Sequence, residues 1–511
     1  MERFLRQLRW AMGASLLLLV TLVSIDVMGA RSEPLVPEKK TEAAASVTSE
    51  ATTQNDAETS STKTTSMESL RERGGKTPLN QRLLAVFGIV VLLGIAWLLS
   101  SNRQAIKWRP VLWGIALQVA FGLIVLSPTV GKTVFKVVNQ SVNTLMSFSE
   151  KGTDFVFQTI EPHEVTTVNL QTQEKKTETY IGRISPPVKT VAFWILPTII
   201  FFSALMNLLY HLGIMQLLVR GAAWVMQRTM GTSGAESLSA AANIFVGQTE
   251  APMVVKPYIE TMTTSELHAV MVGGFATVAG GVLAAYVGFL QSAIPDIAGH
   301  LVMASIMSAP AALAISKIMC PETEKPATAG GATFQVEKDT SNAIEAVAKG
   351  STDGLKLFLN VFAMLIAFVA MVAMLNFIIT WIGSWFGWNI TLEILLGYLF
   401  APLAWTMGVP WEECQIVGQL LGEKLVLTEL IAYGDLAKNL ASDNPMSYRS
   451  AVICSYALCG FANFASIGIQ IGGIGGIAPG RTKELAKIGL MAMVGGALAA
   501  NMTGTIAGII L

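Results

Sequence analysis

The sequence predicts an all-α polytopic membrane protein with an inverted-repeat core of two re-entrant hairpins and two broken transmembrane helices, plus scaffold helices. Three observations predict it. Hydrophobic residues make up 52% of the 511-residue chain and charged residues 14%, against about 25% charged in soluble domains. The apolar residues fall in unbroken runs, such as 83–99 and 361–375, suited to a hydrocarbon core of roughly 30 Å and without the alternation of a β-barrel. Finally, a short polar pattern occurs twice. Thr249-Glu250 precedes Gly274-Phe275-Ala276-Thr277, and Thr428-Glu429 precedes Gly460-Phe461-Ala462-Asn463. A carboxylate within a membrane segment is costly and marks function by default. Interrupted apolar segments at corresponding places in two halves point to a transporter binding site.

Residues 1–30 combine Arg3, Arg6 and Arg9 with an apolar run at 11–25 and small residues Gly29-Ala30. They read as a secretory signal peptide or an uncleaved anchor helix. Residues 31–80, rich in Ser, Thr, Ala and Glu, read as a disordered extracytoplasmic linker unable to bury a core. A scaffold region, 81–187, carries spans near 83–100 and 110–127, an amphipathic interfacial helix at 131–150 and a polar, exposed insertion at 160–186. The first transport repeat, 188–319, opens with a span at 189–209 and a short amphipathic helix at 215–230. Residues 235–262 are apolar but interrupted by Asn243, Gly247, Gln248, Thr249, Glu250 and Pro252, which suits a re-entrant hairpin buried in protein. Spans at 265–290 and 298–318 follow, then a polar cytoplasmic loop, 320–353. The second repeat, 354–511, has a span at 355–385, a partly embedded segment at 390–408, and a broken segment at 411–438 with Glu423, Lys424, Glu429 and Asp435. Spans at 446–473 and 484–509 complete it.

Positive charge orients these spans. The connections at 291–297 and 386–390 hold no Lys or Arg and are placed outside. Those at 101–109 (Arg103, Lys107, Arg109) and 474–487 (Arg481, Lys483, Lys487) are placed inside. The N-terminus is then extracytoplasmic, in a multi-pass plasma-membrane protein (a bacterial inner membrane suits it). An odd number of crossings precedes the second copy, so its topology is inverted and the two hairpin tips can meet near the midplane.

The remaining chemistry is sparse. A net charge of +0 suggests no nucleic-acid partner. Cys320, Cys414, Cys454 and Cys459 lack metal-ligand spacing, and the four histidines are scattered. The Gly-rich run 472–480 lacks the Gly-Lys-Ser/Thr ending of a phosphate loop and reads as a helix end and turn.

The first hairpin, Asn243-Ile244-Phe245-Val246-Gly247-Gln248-Thr249-Glu250-Ala251-Pro252, resembles the signature of the concentrative nucleoside transporters. The run Gly422-Glu423-Lys424-Leu425-Val426-Leu427-Thr428-Glu429 resembles that family's second glutamate segment, and Phe461-Ala462-Asn463-Phe464-Ala465-Ser466 its broken seventh core helix. The resemblance covers about 189–511 closely and extends over 83–150. It implies a sodium-coupled nucleoside symporter working by alternating access, assembled as a homotrimer, with no cofactor besides the coupling ion. It places base recognition on Gly247, Gln248, Thr249, Glu250 and Val282, and ribose recognition on Glu429, Phe461, Asn463 and Ser466. Its sodium site falls on Asn243, Val246, Thr277 and Val278. The chemistry agrees: an amide offers both donor and acceptor to a base edge, carboxylates accept from N–H and O–H groups, and a hard cation prefers oxygen ligands. Thr428-Glu429-Leu430 departs from the Asn-Glu-Phe common in relatives.

Other readings compete. A proton-coupled relative lies within the same class. An intramembrane enzyme could use Glu250 and Glu429 as an acid–base pair, and a channel or nucleoside receptor could use the same site. Thr249 and Thr428 could cap helices. Glu250 and Glu429 could pair with Lys256 and Lys424, and Glu423 and Lys424 could form a local pair. Asp435 and Lys438 read as solvated, and Trp108, Trp113, Trp381, Trp385 and Trp388 as interfacial anchors. The pairs Gly273-Gly274 and Gly280-Gly281 permit close packing and a helix break near Thr277.

Overall fold

Side chains at helix entrances set much of the architecture. The computed structural model describes residues 79–126, 131–157, 160–168, 175–183, 191–329, 340–388 and 390–511. The signal or anchor segment, and all but the last two linker residues, lie outside the described residues. The first helices are α1 (Leu79–Leu98), α2 (Trp108–Leu126) and α3 (Gly131–Phe157). An antiparallel hairpin follows, β1 (Ile160–Val168) and β2 (Lys175–Arg183), in register from Ile160 opposite Arg183 to Val168 opposite Lys175. The insertion expected to be merely exposed thus has regular backbone pairing, and the expected interfacial helix runs on to Phe157.

Next come α4 (Thr198–His211), entered through a π-helical turn at Val191–Ile195, and α5 (Ile214–Met230). α6 (Gly234–Asn243), a 3₁₀ turn (Ala251–Val255) and α7 (Lys256–Ile259) form the first hairpin. α8 (Thr264–Ala276) and α9 (Gly280–Leu290) are one span broken at 277–279, followed by α10 (Ile297–Met319). Ser233 and Thr263 open α6 and α8 as reciprocal capping boxes with Glu236 and Glu266, so two otherwise unpaired N–H groups are satisfied at each entrance. The same carboxylates hold these entrances together. Lys317 of α10 pairs with Glu236 at 2.6 Å and donates to Ser265 at 2.9 Å, while Ser233 donates to Glu266 at 2.5 Å. Lys317 and Glu236 are both buried, so loss of either would leave the other's charge without its nearest partner.

The second half contains α11 (Ala343–Ser384), α12 (Leu392–Thr406), α13 (Trp411–Val426), α14 (Glu429–Leu440), α15 (Tyr448–Leu458), α16 (Phe464–Ile477) and α17 (Thr482–Ile510). Asn342 caps α11 by accepting from Glu345 N–H, so this span begins at Ala343 rather than 355. α12 and α13 meet at a 117° bend. Glycines allow their close approach: a Cβ on Gly418 would lie 2.5 Å from the Gly397 carbonyl oxygen and 2.7 Å from Ala401 N. The expected span at 446–473 is divided into α15 and α16, and the glycines of 472–476 lie within the last turns of α16, the turn itself starting at Ala478.

Among the described residues, six helices are long and apolar enough to cross a membrane, or seven if the bent pair counts as one. The core is the α8–α9 span, α10 and α17, whose apolar windows are 94%, 89% and 67% buried, whereas that of α11 is 0% buried. α17 packs on α1, α8, α10, α15 and α16, bringing both broken spans onto one support. The tryptophans Trp108, Trp113, Trp381, Trp385 and Trp388 are exposed, as interfacial anchors require.

Because α12 and α13 touch backbone to backbone, Gly418→Ala is expected to destabilise by about 1–3 kcal/mol through overpacking. Gly221→Ala, where a Cβ meets nothing within 4 Å, should be neutral or slightly stabilising. Thermal unfolding midpoints in detergent, compared for the two variants, check this.

Candidate functional site

Two helix breaks and two hairpin tips converge. At the first break, Thr277 and Ala279 are extended between α8 and α9. At the second, Cys459 is extended, Gly460 takes φ +130°, and Asn463 is the extended N-cap of α16. The two Gly-Phe-Ala copies meet here: a Cβ on Gly460 would lie 2.7 Å from the Phe275 carbonyl oxygen and 2.8 Å from that of Ala276. Both the positive φ and the contact demand glycine.

The hairpin tips differ. In the first, Gly247-Gln248-Thr249-Glu250 forms the turn, and a side chain on Gly247 would collide with the Glu250 carboxylate. Gly247 therefore lets that carboxylate fold back over the tip. Glu250 remains open, and Thr249 is half-buried. In the second, Thr428 occupies the N-cap position and Glu429 is the first residue of α14, where the helix dipole favours a negative charge. Glu429 is 4% exposed.

Glu429 is held from two sides. Tyr286 of α9 donates to Oε1 and Asn463 to Oε2, each at 2.9 Å. The Asn463 oxygen meanwhile accepts from Ser466 N–H at 2.9 Å, so one amide both caps α16 and aims its NH₂ at the carboxylate. Tyr286 stacks on Tyr433 of α14 with ring centroids 4.2 Å apart, and Tyr433 donates to the Ser455 carbonyl at 2.7 Å. On the other side of the site, Gln248 Nε2 donates to Ser466 Oγ at 3.2 Å, and Gln248 Oε1 accepts from Gln470 Nε2 at 3.1 Å. A Cβ on Gly473 would touch Thr249 at 2.9 Å. Asn463, Ser466, Gln470 and Gly473 thus line one face of α16 at helical spacing, joining Glu429 to the first hairpin.

The residues expected to hold the cation form a separate group beside the first break. Asn243 is fully buried and neither amide atom has a hydrogen-bond partner. It borders Gly273, whose carbonyl accepts from the Thr277 hydroxyl at 2.8 Å. Gly280 N–H donates to the Phe245 carbonyl at 3.2 Å, clasping the segment with Val246 to that with Val278. Val246, Thr277 and Val278 are buried. Val282 is buried on α9, one turn before Tyr286, and Phe461 is half-buried at the second break.

Several simpler readings are corrected. Thr428 sits where a cap would, yet its hydroxyl makes no cap bond and has no partner, while Thr249 lies in a turn and caps nothing. Lys424 is buried and donates to the Ala457 carbonyl at 2.8 Å, and Glu423 accepts from Gln419. Neither forms the local pair considered, and among the described residues neither Glu250 nor Glu429 forms an ion pair. Asp435 and Lys438 do pair, at 2.6 Å, on the exposed side of α14. The four cysteines are free.

Tyr286 and Gln470 escaped the sequence reading. Gln470 carried a signal: it continues the helical face of Asn463 and Ser466, and is a polar residue inside an apolar run. Tyr286 carried little, since an aromatic in a span usually marks packing.

Comparison with known proteins closes the question of family. Residues 87–160 match the Na+ dependent nucleoside transporter N-terminus, 192–293 the nucleoside recognition (Gate) domain, and 300–508 the Na+ dependent nucleoside transporter C-terminus. An uncharacterized transporter of Haemophilus influenzae is 42% identical over 84% of this chain and 97% of its own length. Solute carrier family 28 member 3 of Mus musculus is 39% identical over 84% of this chain, which spans 59% of the mouse protein. The inward-facing, substrate-bound structure of CNTnw aligns with TM-score 0.73 and 40% identity over 84% of this chain and 97% of that one. An outward-facing variant of CNTnw aligns with TM-score 0.75 and 40% identity, covering 85% and 98%. The broken spans, the paired hairpins and these likenesses over most of the chain have one reading: it belongs to the concentrative nucleoside transporter family.

Proposed function

We propose that this chain is a sodium-coupled nucleoside symporter. The observation that carries the reading is the convergence of two half-sites on α16, one built on Glu429, Asn463 and Ser466 and the other on Gln248, which reaches α16 through the Ser466 hydroxyl. Nucleosides have two chemically different ends. Glu429 accepts from ribose hydroxyls, with Asn463, Ser466 and Phe461 completing that side. Gln248, Thr249 and Glu250, on the tip that Gly247 permits, face the base edge, and Val282 packs on its flat face. The openness of Glu250 against the burial of Glu429 suits a variable base and a constant sugar. The family is one of transporters, which sets the acid–base enzyme reading aside. Matches to inward- and outward-facing structures support alternating access, with the hairpins moving relative to a scaffold of the first spans.

Sodium is favoured over the proton by the orphaned Asn243 amide. Its carbonyl oxygen, the Thr277 hydroxyl and the backbone carbonyls of Val246 and Val278 make a donor set of hard oxygens. Among the described residues no backbone N–H is bonded to either of those carbonyls. Broken helices supply such free carbonyls. Ordering the first hairpin around the ion prepares Gln248 for the base, so ion and nucleoside bind cooperatively. The two halves act as inverted repeats in a multi-pass plasma-membrane protein, N-terminus outside, assembled as a homotrimer with independent sites.

Replacing sodium by choline at constant pH should abolish concentrative uptake into proteoliposomes; undiminished uptake would falsify sodium coupling. Glu429→Gln should raise KM for every nucleoside alike, by about 1.5–3 kcal/mol for a charge-assisted hydrogen bond, whereas Gln248→Ala and Glu250→Gln should also reorder base preference. Uniform loss across bases in all three variants contradicts the division. Tyr286→Phe keeps the stacking on Tyr433 and deletes one donor to Glu429. A rise in KM of roughly tenfold for all nucleosides is expected, read by competition against labelled uridine.

A further inference from the structure

We propose that Gln470 is a specificity-determining residue that sets which hydrogen-bonding face Gln248 shows to the base. This rests on the reading that Gln248 meets the base, and adds a residue that does not. Gln470 is fully buried on α16. Its amide touches two groups at once: the Met271 carbonyl at 3.1 Å and the Gln248 side chain at 3.1 Å. A backbone carbonyl can only accept, so the atom of Gln470 turned toward Met271 is its NH₂ group. The same NH₂ faces Gln248 and must therefore meet Oε1. Gln248 is left with Nε2 on its other side, where it donates to Ser466 Oγ at 3.2 Å. Polarity thus runs outward from Gln470, which donates both to the Met271 carbonyl and to the Gln248 oxygen, while Gln248 in turn donates to the Ser466 hydroxyl.

Turning the Gln248 amide over would set N–H against N–H at Gln470, so the unturned form dominates. Gln248 consequently offers the base its second N–H. Ser466, already accepting, is left with its O–H to donate. The first hairpin then provides both signs, a donor from Gln248 and an acceptor from Glu250, and selects base edges with the opposite order. The fit is close. A Cβ on Gly274 would lie 2.8 Å from Gln470 Nε2 and 3.0 Å from Gln248 Cβ, so Gly274 of the first Gly-Phe-Ala copy makes room for both amides. The Gln470 Oε1 atom has no partner, so the residue's hydrogen bonding within the protein is through its NH₂ alone.

The test uses the full chain in sodium-loaded uptake assays in proteoliposomes. Half-inhibitory concentrations are measured for uridine, cytidine, adenosine, guanosine and inosine against labelled uridine, in the parent, Gln470→Leu, Gln470→Met and Gln248→Ala. Freed from Gln470, the Gln248 amide rotates, and the spread between best and worst base should narrow by about tenfold. The ratio of 3′-deoxyuridine to uridine should stay within about twofold, because Glu429, the group that accepts from the ribose hydroxyls, keeps its bonds to Tyr286 and Asn463. Either folded Gln470 variant decides the matter. Equal weakening of all five nucleosides, as a purely structural role would give, or unchanged ratios, overturns the inference. If Gln248→Ala shifts the ratios and the Gln470 variants do not, only this inference fails. If Gln248→Ala also leaves them unchanged, the base half-site itself fails.

Discussion

Everything around the site follows from satisfying one buried carboxyl group where water is scarce. Glu429 sits at 4% exposure, and an ion taken out of water without partners costs many kcal/mol. It is tolerated because Tyr286, Asn463 and the first turn of α14 converge on it. Those donors come from three separate segments: the far side of the first broken span, the second broken span and the second hairpin. Solvating one side chain thereby fixes the mutual placement of the two halves. The breaks themselves are a consequence. The second break makes Asn463 an N-cap whose amide reaches Glu429, and the freed backbone groups find use as caps and contacts.

A second buried polar cluster does the opposite work at the entrances of α6 and α8. There Lys317 pairs with Glu236, while Glu236 and Glu266 accept from the helix N-termini. The two clusters show how the same residue types divide. Where every donor and acceptor is matched internally, the carboxylates hold helices together. Where an amide such as Asn243 remains unmatched, or a carboxylate such as Glu250 stays open, a ligand can complete the set.

Much of this was legible in the sequence, and the limits have physical causes. Apolar run length found the spans, since in lipid each backbone group must be satisfied within its own helix. Polar interruptions found both hairpins. Repetition of Thr-Glu and Gly-Phe-Ala singled out Glu250, Glu429, Thr277 and Asn463. What was not legible depends on contacts between distant segments. Tyr286 reads as packing until Glu429 is placed 143 positions away beside it. Lys424, adjacent to Glu423, invited a local pair, but helical geometry turns neighbours to different faces and sends its ammonium to Ala457. The early start of α11 was masked by charged residues that a span-seeking eye assigns to a loop, and the β1–β2 hairpin by a polar composition that hides strand pairing.

α11 has a consequence of its own. It is fastened near its beginning, where a Cβ on Gly350 or Gly354 would press into the backbone of α4 at 2.7–2.8 Å, and again near its end, where Asn376 bonds Glu393 and the Leu392 N–H at the start of α12. From Gly350 to Asn376 is 26 residues, or about 39 Å of helix, while the hydrocarbon layer is roughly 30 Å thick. A rod held near both ends takes its tilt from the helices that hold it. α11 thereby acts as a strut of fixed length between α4 in the first half of the chain and α12 in the second.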